Sequence, residues 1–466
     1  MSNREHPGIF VIKYHRRCFF VNIKSDSRKI EKGDTFIALK YSNDGHQYIE
    51  DAIKRGATSV VADHGLYSVD TLIVKDTHEY LVNYLKDNYW DNIKDIKIIG
   101  MTGTNGKTTT CYLLHKALNM LGEKCAYIGT IGFYIDEKIK DLDNTTPDIL
   151  EIYEMLLKAK EENCKYVVME VSSHALSLDR VKGLEFDMAL FSNLTQDHLD
   201  YHHTIENYLT AKKKLFTMLR NDKLAIINID DKYYKDFIME QNNNKTYGFK
   251  DSNYQITKYN YNLSESNFVI NDCDIYKTKL IGTYNIYNLT LIIAVLNNLG
   301  YDYEQISKVI EKLDSPSGRM DKIIYSNNAI IIDYAHTPDA VENVLLTARD
   351  LNPSHLYVVI GCGGDRDKTK RPLMGEISVN NADQAIFTSD NPRTEDPNKI
   401  IKDIVQKLDK KNYEIEVNRE KAIIRGIQLL KENDILMILG KGHENYQIIG
   451  KNKIFFDDKK VVLDNI

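Results

Sequence analysis

Residues 96–110 read IKIIGMTGTNGKTTT: a short apolar run, a polar loop bounded by glycines, then the start of a segment with apolar residues at helical spacing. That order constrains the chain more than any other feature. A glycine loop between a strand and a helix works as a phosphate cradle at the carboxyl edge of a parallel sheet, so the flanking chain must alternate strands with helices. Glycines let the backbone wrap a phosphate chain, the loop amides and helix N-terminus attract negative charge, Lys107 adds a point charge, and the Thr108 hydroxyl can face Mg²⁺. The loop residues are Gly103, Thr104, Asn105, Gly106, Lys107, Thr108 and Thr109. The strict phosphate-loop pattern asks for glycine at 101, where Met101 stands. A glycine turn with an incidental lysine is the bland alternative; the strand before it and the helix after it favour nucleotide binding.

The same alternation runs through the chain. Apolar runs at 166–171, 188–191 and 224–228 read as buried strands, and residues 108–121 and 149–162 as helices. A second series of strands is expected at 329–333, 356–360, 384–388 and 435–439, and strand-like pieces at 35–39 and 58–62 precede residue 92. The Asn-rich stretch 242–245 and the Tyr/Asn-rich stretch 254–261 read as surface excursions. Ser315-Pro316-Ser317-Gly318 is the expected hinge. At 466 residues the chain is too long for one ordinary core. The expectation is an α/β protein of three domains: residues 1–91, a central parallel-sheet domain at 92–314 carrying the phosphate loop, and a Rossmann-like doubly wound domain at 315–466.

Composition serves mainly to exclude. Lys plus Arg total 61 and Asp plus Glu 67, a net charge of −6, which gives no electrostatic reason for nucleic-acid binding. No run approaches the 18 or so apolar residues of a membrane span, and residues 1–21 lack the apolar core of a signal peptide. Six scattered cysteines without a C-x-x-C pair suggest neither a zinc site nor a disulfide framework. A soluble, cytoplasmic protein is expected.

Several polar strings fall where strands should end. Glu170 closes one predicted strand, next to Ser172, and a carboxylate there is placed to ligate Mg²⁺ beside a phosphate loop; a helix cap is the alternative. Residues 193–203, NLTQDHLDYHH, could ligate a metal but lack thiolates and zinc spacing, and taken alone read as a solvated loop. Residues 211–216, AKKKLF, read as a basic helix face on which nothing separates Lys212 from its neighbours. Three further loops, at 361–367, 390–393 and 440–444, follow strands of the second series and would converge on one crevice. Two of them carry arginines, whose planar fork suits a carboxylate.

Taken together, MTGTNGKTTT, MEVSSHAL, NLTQDHLDYH, YLTAKKKLF, DYAHTPDA, GCGGDRDKTKRPLM, SDNPRTEDP and GKGHENYQ resemble the Mur ligases, and within them the branch that adds diaminopimelate to a UDP-muramoyl dipeptide. The resemblance implies three domains and an ATP-dependent amide ligase of peptidoglycan precursor synthesis that works through an acyl phosphate. It implies ATP phosphates on residues 103–109 and Mg²⁺ on Thr108, Glu170, His198 and a carbamylated Lys212. Asn285 and Asn288 would lie on the adenine side, with Arg319, Asp333 and His336 closing over ATP. Ser27, Asn144, Thr145, Thr146, Ser172 and Arg180 would hold the UDP-muramoyl dipeptide. Arg366, Asp390, Asn391, Pro392, Arg393, Gly440 and Glu444 would hold diaminopimelate. The family also implies small-molecule substrates only, and a monomer. His203 stands where many members have glycine. The rival readings are a lysine-adding Mur ligase, which the DNPR string opposes, a phosphate-loop hydrolase or kinase, which would not need the DNPR and GKGHE loops, and a non-catalytic nucleotide-binding regulator, which Lys107, Thr108, Glu170, His198 and Lys212 together oppose.

Overall fold

The computed structural model describes residues 22–41 and 43–466; the opening segment, with its basic residues and Cys18, lies outside the described residues. The described chain divides into two compact units, the described residues up to 93 with 150–161, and residues 94–149 with 162–466. The smaller unit holds a four-stranded parallel sheet, Ile23–Lys24, Thr35–Ile37, Ser59–Ala62 and Asp70–Ile73 in that order. Most of the helix Ile149–Glu161 groups with this unit, where Glu154 pairs with Lys24 at 2.6 Å.

The larger unit contains two main sheets. The first has eleven strands, with Lys97–Thr102 between Phe186–Phe191 and Tyr166–Glu170 at its centre. These strands are parallel and buried on both faces, which is why they read as continuous apolar runs. Ile99 and Met101 pack against Leu113, Leu114 and Leu118 of the helix Lys107–Met120 and against the apolar helix Thr283–Asn298.

The stretches read as surface excursions are instead strands of this sheet. Asn243–Gly248 and Tyr254–Tyr261 extend it in parallel beyond Leu219–Asn228, and Ser266–Ile270 and Asp274–Thr278 close its edge in antiparallel pairing. Polar side chains on an exposed outer strand hide the alternation: Ile256 is buried, whereas Tyr259 faces solvent.

The second sheet has six strands, all parallel except Asp321–Tyr325 at one edge. Along Asn328–Asp333, Ile331 packs with Val341, Val344 and Leu345, while Ile330 and Ile332 pack with Ala422, Ile423 and Val462. Helices therefore cover both faces, as the doubly wound expectation requires.

One buried ion pair braces this sheet behind the site. Arg419 heads the helix Arg419–Leu429 and donates through Nε and Nη2 to Asp458 at 2.8 and 2.7 Å, and from Nη2 to the Leu439 carbonyl at 3.0 Å. Both side chains are fully buried. Removing one partner strands the other charge, so Arg419→Ala is expected to cost about 3–5 kcal/mol. A urea melt showing a loss below about 1 kcal/mol would contradict this account.

Candidate functional site

The strand Lys97–Thr102 ends one residue before Gly103, and the helix begins at Lys107. Met101 is buried within the strand, paired with Glu170 and Leu190, so the cradle starts at Gly103 and position 101 has no need for glycine. Gly106 caps the helix at φ +88°, where a Cβ would stand 2.7 Å from Asn288 Oδ1. That left-handed conformation and close approach both require glycine. The loop is tied down on its far side: Thr104 N donates to the Asn193 carbonyl at 2.8 Å, and Asn105 N to Asn193 Oδ1 at 2.9 Å.

Lys107 Nζ donates to the Gly103 and Thr104 carbonyls at 2.8 and 2.9 Å. Burial lowers its pKa, with the Glu170 and Asp197 charges opposing that shift. Glu170 is fully buried at the end of its strand. It accepts from Thr108 Oγ1 (3.0 Å), Tyr127 OH (2.6 Å), Thr130 N (2.9 Å) and Thr130 Oγ1 (3.1 Å). A carboxylate fixed by four donors beside a threonine hydroxyl is a hard-oxygen set that suits Mg²⁺.

Lys212 lies in the helix Ile205–Thr217 on its buried stripe of Tyr208, Ala211, Leu215 and Phe216. Its Nζ donates to the Gly103 carbonyl at 2.7 Å and lies 4.5 Å from the centre of the Tyr208 ring. Burial first, and the Lys107 charge second, push its pKa well below the usual lysine value. Burial thus favours the neutral amine over the ammonium.

His198 is in the left-handed region at φ +55°, with its pKa pushed down to about 3 by burial. Its Nε2 is 3.4 Å from the buried Asp197 carboxylate. Burial alone would raise the Asp197 pKa, but His198, Lys370 and His336 outweigh it and lower the pKa. Lys370, from the second sheet's region, reaches within 3.7 Å of Asp197. Sequence reasoning missed Asp197 and Lys370, because both are charged residues inside polar strings and only the fold shows that they are buried. His203 also has positive φ, +66°, which explains why glycine suits that position.

Many of these residues line a cleft of ≈ 490 Å³, although Lys212 and Lys370 are not among its lining residues. Thr104 to Thr109, Glu170, His198, Thr145, Ser172, Asn285, Asn288, Arg319, Asp333 and His336 all border it. Asn288 Oδ1 accepts from Thr110, and its amide donates to Asn285 Oδ1. Across the cleft, Arg319 Nη2 donates to Thr108 Oγ1 at 3.3 Å while its guanidinium lies over the Tyr334 ring at 4.5 Å. Asp333 accepts from Met320 N and Ala335 N, and burial raises its pKa. His336 is held with Nδ1 on the Tyr334 carbonyl, its pKa lowered to about 4 by burial. Asn105 donates to Asp339 at 2.7 Å, a bond from the phosphate loop to the second sheet's first helix, Pro338–Asp350.

Thr146 joins the Glu170 strand end: its hydroxyl donates to the Glu170 carbonyl and accepts from Ser172 N, both at 2.9 Å. Arg180 donates to the Thr146 carbonyl at 3.4 Å, and Asn144 is exposed beside it. Ser27 belongs to the smaller unit, where its hydroxyl donates to Asp51 at 2.7 Å.

The three arginine- and glycine-bearing loops do meet. Gly364 N donates to the Asn391 carbonyl at 2.9 Å. Glu444 accepts from Asn391 Nδ2 (2.8 Å) and from the buried Lys441 (3.0 Å). A Cβ on Gly440 would stand 2.5 Å from Asp390, so that residue must stay small. Arg393 Nη1 donates to the Gly364 carbonyl at 2.8 Å and, more weakly, to the Asn391 carbonyl at 3.4 Å. Pro392 is buried between them, and Arg366 is exposed at the rim with Nη1 on the Asp365 carbonyl.

A phosphate cradle facing a second, doubly wound sheet with an arginine-bearing loop cluster is the architecture of an ATP-driven ligase. Residues 101–296 match the Mur ligase middle domain and residues 318–442 the Mur ligase glutamate ligase domain, and the chain belongs to the Mur ligase family. Full-length relatives narrow the likeness. It is 40% identical to UDP-N-acetylmuramoyl-L-alanyl-D-glutamate–2,6-diaminopimelate ligase 1 of Clostridium acetobutylicum, over 98% of this chain and 97% of that one. It is 41% identical to the ligase of the same printed name from Clostridium botulinum, over 94% of each chain. A solved UDP-N-acetylmuramoyl-L-alanyl-D-glutamate–2,6-diaminopimelate ligase has a TM-score of 0.66 at 34% identity, covering 96% of this chain and 94% of the other. The MurF ligase of Thermotoga maritima in complex with ADP, at 17% identity and a TM-score of 0.66 over 90% and 93% of the two chains, shares the fold.

Proposed function

We infer that this chain is the ATP-dependent ligase that joins diaminopimelate to the D-glutamate of UDP-N-acetylmuramoyl-L-alanyl-D-glutamate. The reaction builds a peptidoglycan precursor. The observation that carries the reading is the pairing of a phosphate cradle with the Asn391–Arg393–Glu444 pocket in one compact unit.

A carboxylate is a poor acyl donor, so ATP must first activate it. The D-glutamate side-chain carboxylate attacks the γ-phosphorus, and ADP leaves. Lys107 and the loop amides meet the charge spreading over the phosphates. Arg319, aimed at Thr108, meets it from the opposite wall. The free amine of diaminopimelate then attacks the acyl carbon, phosphate leaves, and the amine gives up a proton to form the amide.

Mg²⁺ would be held by Thr108, Glu170, His198 and Lys212, and it supplies charge neutralisation on the phosphates. As an ammonium, Lys212 would repel a cation. As a neutral amine, its nitrogen lone pair can attack CO₂ and lose a proton, giving a carbamate that faces the metal as an oxygen ligand. Asn285 and Asn288 would border adenine, and Asn144, Thr145, Thr146, Ser172, Arg180 and Ser27 the UDP-muramoyl dipeptide. Domain limits at residues 92 and 315, a hinge at 315–318, a cytoplasmic location and a monomeric state complete the reading. No described helix is long and apolar enough to cross a membrane.

Phosphate release from Mg-ATP tests it. Release should require both the UDP-muramoyl dipeptide and diaminopimelate, with amide formed in equal amount. Release indifferent to the amino acid would return the chain to the phosphate-loop hydrolases.

A further inference from the structure

The smaller unit carries a nitrogen-rich cluster that the ligase chemistry does not use. His46 lies in the short turn Gly45–Tyr48, and Asp63 and His64 follow the strand Ser59–Ala62. One ligand atom from each lies within 4.8 Å of the other two. The two imidazoles stack at 4.2 Å between centroids and aim nitrogens at the same oxygen, Asp63 Oδ1. His46 Nε2 is 3.0 Å from that oxygen, and His64 Nδ1 hydrogen-bonds it.

The proton positions make this arrangement informative. His46 Nδ1 stands 2.6 Å from Asp44 Oδ1. An ionised carboxylate only accepts, so Nδ1 carries a hydrogen, and whenever the ring holds that one proton alone Nε2 is a bare lone pair. The His46 side chain is 9% exposed, and its Nε2 is buried without a hydrogen-bond partner while facing a carboxylate. Two electron-pair donors at that distance repel unless a cation lies between them. An imidazole with one nitrogen on an outer carboxylate and the other facing a ligand group is also how metal-bound histidines are oriented.

We propose that His46, Asp63 and His64 form a site for a borderline divalent transition ion, with Zn²⁺ as its occupant. Two imidazole nitrogens and one carboxylate oxygen match Zn²⁺, Co²⁺ or Ni²⁺, whereas Mg²⁺ and Ca²⁺ prefer all-oxygen sites. Lys40 holds the other Asp63 oxygen at 2.6 Å, leaving Oδ1 as the single carboxylate ligand. Asp44 fixes the His46 ring, and water fills the remaining positions. The bound ion pins the turn at Gly45–Tyr48 to the end of the neighbouring strand. The competing arrangement is an imidazolium at His46 bridging Asp44 and Asp63; it binds no transition metal.

The test uses the full-length protein, stripped with chelator, desalted and kept in excess Mg²⁺ so that oxygen-rich sites are filled. Titration with Co²⁺, read by its visible absorption, and with Zn²⁺, read by calorimetry, should show one equivalent bound. Affinity should fall at least tenfold in His64→Gln and in His46→Gln, and stay unchanged in Cys273→Ser, which removes an exposed thiol. His64 has a side chain 65% exposed, so its variant folds even if His46→Gln does not. Failure to bind Co²⁺ or Zn²⁺ stoichiometrically, or equal affinity in His64→Gln, overturns the proposal.

Discussion

Lys107→Ala and Lys212→Ala should each lower turnover by about 10³-fold or more while leaving the thermal midpoint unchanged or slightly raised. Both side-chain nitrogens donate to backbone carbonyls of the same loop rather than to a carboxylate. Their burial disfavours the charged form, so deleting either charge relieves the folded state more than it harms it. Arginine separates their roles. Lys107→Arg keeps a cation over the phosphates and should retain part of the activity. Lys212→Arg keeps a cation but cannot react with CO₂, because guanidinium stays protonated. It should be as inactive as the alanine variant. The pair of lysines also predicts a CO₂ requirement: enzyme depleted of bicarbonate should lose activity and recover it on adding bicarbonate, and Lys212→Arg should show no such recovery. Equal residual activity in the two arginine variants would remove the carbamate from the mechanism.

The contrast between these lysines also shows what the sequence makes legible. The phosphate loop is local chemistry: its strand, glycines, lysine and helix are consecutive, and the structure reproduces that order. Lys212 shares a KKK run with two neighbours whose side chains are 36% and 45% exposed. Its own place on the stripe of Tyr208, Ala211, Leu215 and Phe216 is a 3.6-residue periodicity that the sequence carries and that charge alone conceals. Asp197 has no such signal. The charges that act on it include Lys370 and His336, which approach from separate segments far along the chain. The parallel strands were visible because burial on both faces leaves uninterrupted apolar runs; Asn243–Gly248 was not, because its polar side chains resemble those of a loop. The Asn391–Arg393–Glu444 pocket was legible only as three separate strings, since its closure depends on hydrogen bonds between loops 53 positions apart in the chain.

Arg393→Ala should convert a selective enzyme into an indifferent one. Diaminopimelate differs from lysine by a carboxylate beside the distal amine, and Arg393 is the group positioned to read it. Its backbone is locked by a bond from its N–H to the Ile448 carbonyl (3.0 Å) and one from Gly450 N to its own carbonyl (2.7 Å), at φ +50°. Nη1 is spent on the Gly364 carbonyl, which orients the fork, and among the described residues no carboxylate pairs with the guanidinium. In the proposed reading, the substrate carboxylate completes that pairing. When lysine binds, a desolvated guanidinium is left with its demand unmet, a penalty of about 3 kcal/mol, or somewhat over 10²-fold in kcat/KM. Removing the arginine removes both the attraction and the penalty. Diaminopimelate should therefore lose about 10²-fold in kcat/KM, lysine should hold or gain, and KM for ATP should not move. Arg393→Lys tests the geometry: a point charge keeps the attraction but loses the paired hydrogen bonds, so selectivity should fall partway. If the ratio of the two kcat/KM values stays the same in Arg393→Ala, the distal carboxylate is read elsewhere in the pocket, and the exposed Arg366 at its rim becomes the residue to replace.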